Sequence, residues 1–146
     1  MYCVCGVIAI ALAIIDLRVQ RLPYMLTGVM YGTSVVAFLI HAATTGEVQP
    51  LVRAVIAGAV AFVAFLFLAL AFPGQLGLGD VVLVGWIALS LGWFTWRAAA
   101  LGLLAGLAVQ AVVGLAFRLV SQGDHALPMG PALLLGWFVG VVIGAW

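Results

Sequence analysis

A chain of 146 residues that is 68% hydrophobic and only 6% charged, with four acids, five arginines and no lysine, is not a soluble domain, because soluble chains carry about 25% charged residues. Its net charge of +1 offers no basic surface to nucleic acid. The length holds at most six apolar spans of about 20 residues each and leaves no room for a second domain. The reading is an all-α polytopic membrane protein of six transmembrane helices, a single domain over residues 1–146 with the lipid bilayer as its solvent.

Hydropathy places the spans at roughly 2–17, 24–43, 51–72, 79–95, 97–119 and 127–146. The first has no basic region ahead of it, so no cleaved signal peptide is expected. It holds Cys3 and Cys5, two thiols that cannot build a four-ligand zinc site and read as small apolar residues. The second carries Gly28-x-x-x-Gly32, the third Ala54, Gly58 and Ala61, the fifth Gly102-x-x-x-Gly106, and the sixth Gly136, Gly140 and Gly144 at four-residue spacing. Small residues on one helix face let backbones approach in lipid, so these stripes predict close packing, with homo-oligomer formation as their second use. Gln110, inside the fifth span, is expected to make an interhelical hydrogen bond. Trp93, Trp96 and Trp146 fall at span ends, as an aromatic belt requires; Trp86 and Trp137 read as packing.

Orientation follows from arginine placement. The first, third and fifth connections carry Arg18, Arg21 and Arg118, and the second and fourth carry Arg53 and Arg97. The tight Arg18/Arg21 pair beside the first span puts the odd-numbered connections in the cytoplasm. Asp16 then closes the first span, and Asp80 opens the fourth, at that same face.

These two acids are the informative residues, since the other two, Glu47 and Asp124, fall in loops. Taken singly, each has an ordinary reading. Asp80 follows Gly77-Leu-Gly79 and precedes an apolar run, which suits a helix N-cap. Asp16, beside Arg18 and Arg21, suits an interfacial acid with an arginine partner. Taken together they suit catalysis. Two carboxylates within hydrogen-bond reach resist joint ionisation and titrate as a pair. The ionised member accepts a proton from water while the neutral one donates to a scissile carbonyl, which hydrolyses a peptide bond without a covalent intermediate. Gly77 and Gly79 leave the backbone free for close approach of an extended chain. Other schemes lack parts: Ser34, Ser90 and Ser121 have no suitable His and Asp, and no His-Glu-x-x-His or other metal-ligand cluster exists. Neither a metal nor another cofactor is expected.

At this point three short motifs carry a family resemblance. Asp16-Leu-Arg-Val-Gln-Arg-Leu-Pro23, followed by Tyr24-Met-Leu-Thr27, resembles the first aspartate motif of the prepilin peptidases. Gly77-Leu-Gly-Asp80-Val-Val-Leu83 resembles their Gly-x-Gly-Asp signature, and Pro128-Met-Gly-Pro131 their later Pro-x-Gly-Pro element. The motifs fall in the family's order. The resemblance implies an intramembrane aspartyl endopeptidase that cuts the short leader from type IV pilin-like precursors at the cytoplasmic face of the plasma membrane. It gives Asp16 and Asp80 the catalytic roles, Gly77 and Gly79 the loop that admits substrate backbone, and Pro131 a supporting place. Val82 stands where members often carry Lys, and Tyr24 where Asn or Asp is common; both bear on substrate preference. The chain starts directly at the peptidase core, so cleavage without N-methylation is implied. The alternative reading is a small proton-coupled transporter relaying protons through the same acids, which calls for acids near mid-membrane and often an inverted repeat. A structural membrane partner is a third; it would tolerate loss of either acid.

Overall fold

The computed structural model describes residues 2–19, 24–72, 77–120 and 130–146. They form six helices and no strand: α1 (Tyr2–Val19), α2 (Tyr24–Thr45), α3 (Gln49–Ala71), α4 (Leu78–Gly92), α5 (Trp96–Val120) and α6 (Gly130–Gly144). Helices answer the physics of an apolar solvent, because every backbone bond closes within its own segment.

The helix ends follow local rules. Gly46 stops α2 with a left-handed φ of 75°, and its N–H returns to the Ala42 carbonyl at 2.9 Å, a glycine C-cap. Pro50 stands in the first turn of α3, where its missing N–H removes no hydrogen bond. The fourth helix ends at Gly92 rather than near 95, because the chain turns sharply there: Phe94 N–H bonds the Leu91 carbonyl at 3.1 Å. Arg53, counted above only as a topology charge, reaches from α3 to this turn. Its guanidinium donates to the carbonyl oxygens of Gly92 at 2.7 Å, Trp93 and Phe94. A cation there satisfies orphan carbonyls and meets the negative end of the helix dipole. Trp93, in turn, stacks on Phe38 at 4.1 Å between ring centroids, so it is a packed residue where a belt position was expected.

Helix α4 is the axis of the molecule. It packs against α2, α3, α5 and α6, and Leu83 through Gly92 are all buried. The contacts fix the direction of each neighbour. Along α2, Tyr31, Ser34 and Phe38 meet Val82, Trp86 and Trp93 of α4, so α2 runs parallel to α4. Arg53 meets the end of α4 while Gly58 meets Gly85 and Leu89, so α3 runs antiparallel to it. Leu91 lies against both Gly102 and Gly140, and Phe94 against Gly144; α5 descends beside α4 and α6 rises with it. Helix α1 packs against α2 and α6. Residues 20–23 join it to α2, and even fully extended they span roughly 18 Å, less than the ~27 Å length of an 18-residue helix. The end of α1 therefore lies where α2 and α4 begin.

Several expectations about small residues are met. Ala54, Ala57, Gly58 and Ala61 are the buried residues of α3, and Gly102, Gly106, Gly136 and Gly140 bring α5 and α6 together. Gly28 and Gly32 differ: both are exposed, and a Cβ at either would meet nothing within 4 Å among the described residues. That stripe points outward. Gln110 differs too, because its carboxamide oxygen is buried with no hydrogen-bond partner where an interhelical bond was expected.

The outer surface is apolar. Val7, Ile10, Val60, Phe67, Val112 and Phe138 are all exposed, Phe67 by 72%. A water-soluble monomer seldom shows apolar area so extensive. Met25–Thr45, Gln49–Ala71 and Trp96–Ala116 are long and apolar enough to cross a membrane, and α4 and α6 are shorter apolar helices.

Candidate active site

The turn that opens α4 holds the most informative acid. Gly77 is the N-cap, extended at φ −75° and ψ 142°, and its carbonyl accepts from the N–H groups of Asp80 at 3.0 Å and Val81 at 3.3 Å. Asp80 is therefore not the capping residue. It stands three positions inside the helix, half-buried, in the first turn where the helix dipole favours negative charge. Its carboxylate folds back over Gly77: a Cβ added there would lie 3.2 Å from Asp80 Oδ2. The missing side chain of Gly77 thus makes room for the acid, a role more specific than backbone freedom. Gly79 is the second helical residue, also half-buried.

Asp16 belongs to the last turn of α1, at the end of the bundle where α4 begins. Its side chain lies outside the described residues, as do Arg18, Arg21 and residues 121–129. The backbone thus brings the two acid-bearing turns to one end of the molecule, although 64 residues separate them in sequence. Pro131 is the second residue of α6 and faces α1, lining an apolar groove with Gly6, Ala9, Ile10, Leu134 and Phe138.

Sequence reasoning passed over the polar ladder that holds α4 in place. Tyr31 donates to the Val82 carbonyl at 3.1 Å. Trp86 donates its indole N–H to Ser34 Oγ at 3.0 Å, and Ser34 donates onward to the Met30 carbonyl at 2.7 Å. Trp137 does the same to Ser90 at 2.9 Å, which donates to the Ile87 carbonyl. In a bilayer such bonds contribute about 0.6 kcal/mol each, up to roughly 2. They fix the rotation of α4 and with it the direction in which Asp80 points. Thr27 lies one turn before Tyr31 along α2 and is also buried. The signal was in the spacing: Thr27, Tyr31, Ser34 and Phe38 recur at helical intervals along α2.

A bundle of apolar helices with an apolar exterior is a helical membrane protein. The chain belongs to the type IV leader peptidase family, whose model matches residues 3–145, nearly its whole length. It is accordingly a membrane protein of a peptidase family. No curated protein and no solved structure matches it.

Proposed function

We propose that this protein is an aspartyl endopeptidase that removes the short leader of type IV pilin-like precursors at the cytoplasmic face of the plasma membrane. The observation that carries the reading is the pair of acid-bearing turns at one end of a bundle that matches a leader peptidase family throughout. The ionised acid takes a proton from water. The resulting hydroxide adds to the scissile carbonyl, whose oxygen takes the proton of the neutral acid. As the tetrahedral adduct collapses and its C–N bond breaks, one of its hydroxyls returns a proton to the carboxyl pair and the amine leaves with a proton from that pair. Hydrolysis by this route restores both acids and uses no cofactor, so chelators are expected to leave the rate unchanged. Asp16 and Asp80 carry the proton transfers, Gly77 and Gly79 admit the substrate backbone, and Pro131 holds the start of α6.

The Gly77 contact gives this reading a local test. A methyl group at Gly77 stands 3.2 Å from Asp80 Oδ2, so the carboxylate must give way by a few tenths of an ångström. Since a 1 Å misplacement costs around a hundredfold, Gly77→Ala is expected to slow cleavage by roughly tenfold while the protein melts as before. A wild-type rate would leave Gly77 as a connection only.

All six helices span the membrane in this reading, with residues 18–23, 73–79 and 120–127 in the cytoplasm and 44–50 outside. Cysteines introduced singly as Glu47→Cys and Gln122→Cys, in a background lacking Cys3 and Cys5, should react with a membrane-impermeant thiol reagent from opposite sides. Reaction from one side only would overturn the six-span arrangement and remove the shared cytoplasmic face.

A further inference from the structure

We infer that Gln110 is a substrate-positioning residue, whose carboxamide oxygen accepts a backbone N–H of the peptide drawn in beside Asp80. The inference rests on the peptidase reading and names a group in the same site. Three observations lead to it. First, the Gln110 oxygen is buried without a hydrogen-bond partner, and it is the only such side-chain atom among the described residues. Buried acceptors are almost always satisfied, and a glutamine among membrane helices ordinarily finds its partner across them, so this oxygen is an exception that a bound chain would remove.

Second, its depth is that of the acid. Gly102 of α5 lies against Leu91 of α4, and the two helices run antiparallel. Eight residues from Gly102 to Gln110 rise about 12 Å; the same rise along α4 from Leu91 reaches Leu83, one turn from Asp80. Third, its direction is that of α6. Gly106 packs on Ala132 and Leu133, and Gln110, one turn further along roughly the same side of α5, comes level with Gly130 and Pro131, where α6 begins.

The chemistry of the donor follows. An extended peptide entering a region without water carries main-chain N–H groups that no longer bond to solvent. An unpaired carbonyl-type oxygen level with the turn of α4 that follows the acid supplies what such a chain lacks. It holds the backbone in register without selecting any side chain. In the free protein that oxygen is a standing penalty, and substrate relieves it.

Gln110→Met tests this, because methionine nearly matches glutamine in shape and has no oxygen. With a synthetic precursor bearing a basic leader, glycine before the cut and one apolar helix, KM is expected to rise about three- to tenfold with kcat nearly unchanged. Binding of the same precursor to Asp80→Asn protein should weaken by that factor when Gln110→Met is added. Thermal unfolding in detergent should occur at the wild-type temperature or above it, since a penalty has been removed. Gln110→Glu, which keeps an oxygen in place, should restore KM. Unchanged KM and binding in Gln110→Met, beside a wild type that cleaves and an inactive Asp80→Asn, would overturn the inference and leave the peptidase standing. A lower melting temperature with unchanged KM would also overturn it, by making Gln110 a strut between helices. A wild type that neither binds nor cuts the precursor would overturn both readings.

Discussion

Asp80→Asn and Asp16→Asn are each expected to lower cleavage of a pilin-like precursor by about 10²–10⁴-fold, the range of a lost general acid or base. Asparagine nearly matches aspartate in shape but neither takes a proton from water nor carries a charge. The fold should survive. Asp80 lies half-buried in the first turn of α4, where neutralising it forfeits about 0.3–1 kcal/mol of helix-dipole interaction, and Gly77 rather than Asp80 supplies the cap. The double variant should be no slower than the worse single one, because groups acting as a unit lose their effect together. Wild-type activity should fall at both low and high pH, since the mechanism needs one acid protonated and the other ionised. Rates of the two single variants and the double, with circular dichroism to establish folding, decide the matter. Substantial cleavage by either single variant would remove the paired-acid mechanism, and Asp80 would then be a first-turn acid that steadies α4.

The positions of the acids were legible in the sequence because charge is so scarce. With four acids in 146 residues, any carboxylate beside an apolar run stands out, and hydropathy alone places Asp16 at the close of the first span and Asp80 at the opening of the fourth. Helix count and approximate bounds were legible for the same reason. What surrounds Asp80 was not. That Gly77 gives its side-chain space to the carboxylate depends on local backbone geometry, and the sequence suggested instead that Asp80 caps the helix. Arg53 looked like a topology charge because its partners are carbonyl oxygens about 40 residues away, which no side-chain pattern announces. Gly28 and Gly32 had the same spacing as Gly102 and Gly106, yet only the latter pair meets another helix. Spacing identifies a flat face; the arrangement of neighbours decides whether anything covers it.

That contrast supplies the largest expected effect on stability. Gly136→Ala should prevent normal folding or lower the melting temperature sharply. Its added Cβ would meet the carbonyl oxygen of Gly102 and the backbone nitrogen and Cα of Gly106 inside van der Waals contact. Backbone cannot rotate away as a side chain can, so α5 and α6 would have to separate. Overpacking of this kind costs about 1–3 kcal/mol, occasionally more, and in lipid no hydrophobic force draws the helices back together. Gly144→Ala is milder, because its Cβ would press on the Phe94 ring, a side chain free to move. Gly28→Ala opens onto free space and should be neutral or stabilising by up to about 1 kcal/mol, the helix preference of alanine over glycine. Thermal unfolding of the three variants in detergent should therefore rank Gly136→Ala lowest, Gly144→Ala next and Gly28→Ala at or above wild type. Parity between Gly136→Ala and Gly28→Ala would mean that α5 and α6 do not meet backbone to backbone. The same contact has a functional consequence. Gly102, Gly106 and Gly136 hold the part of α5 that carries Gln110 against the start of α6 that carries Pro131. A folded but loosened Gly136→Ala protein should consequently bind precursor weakly even with both aspartates in place.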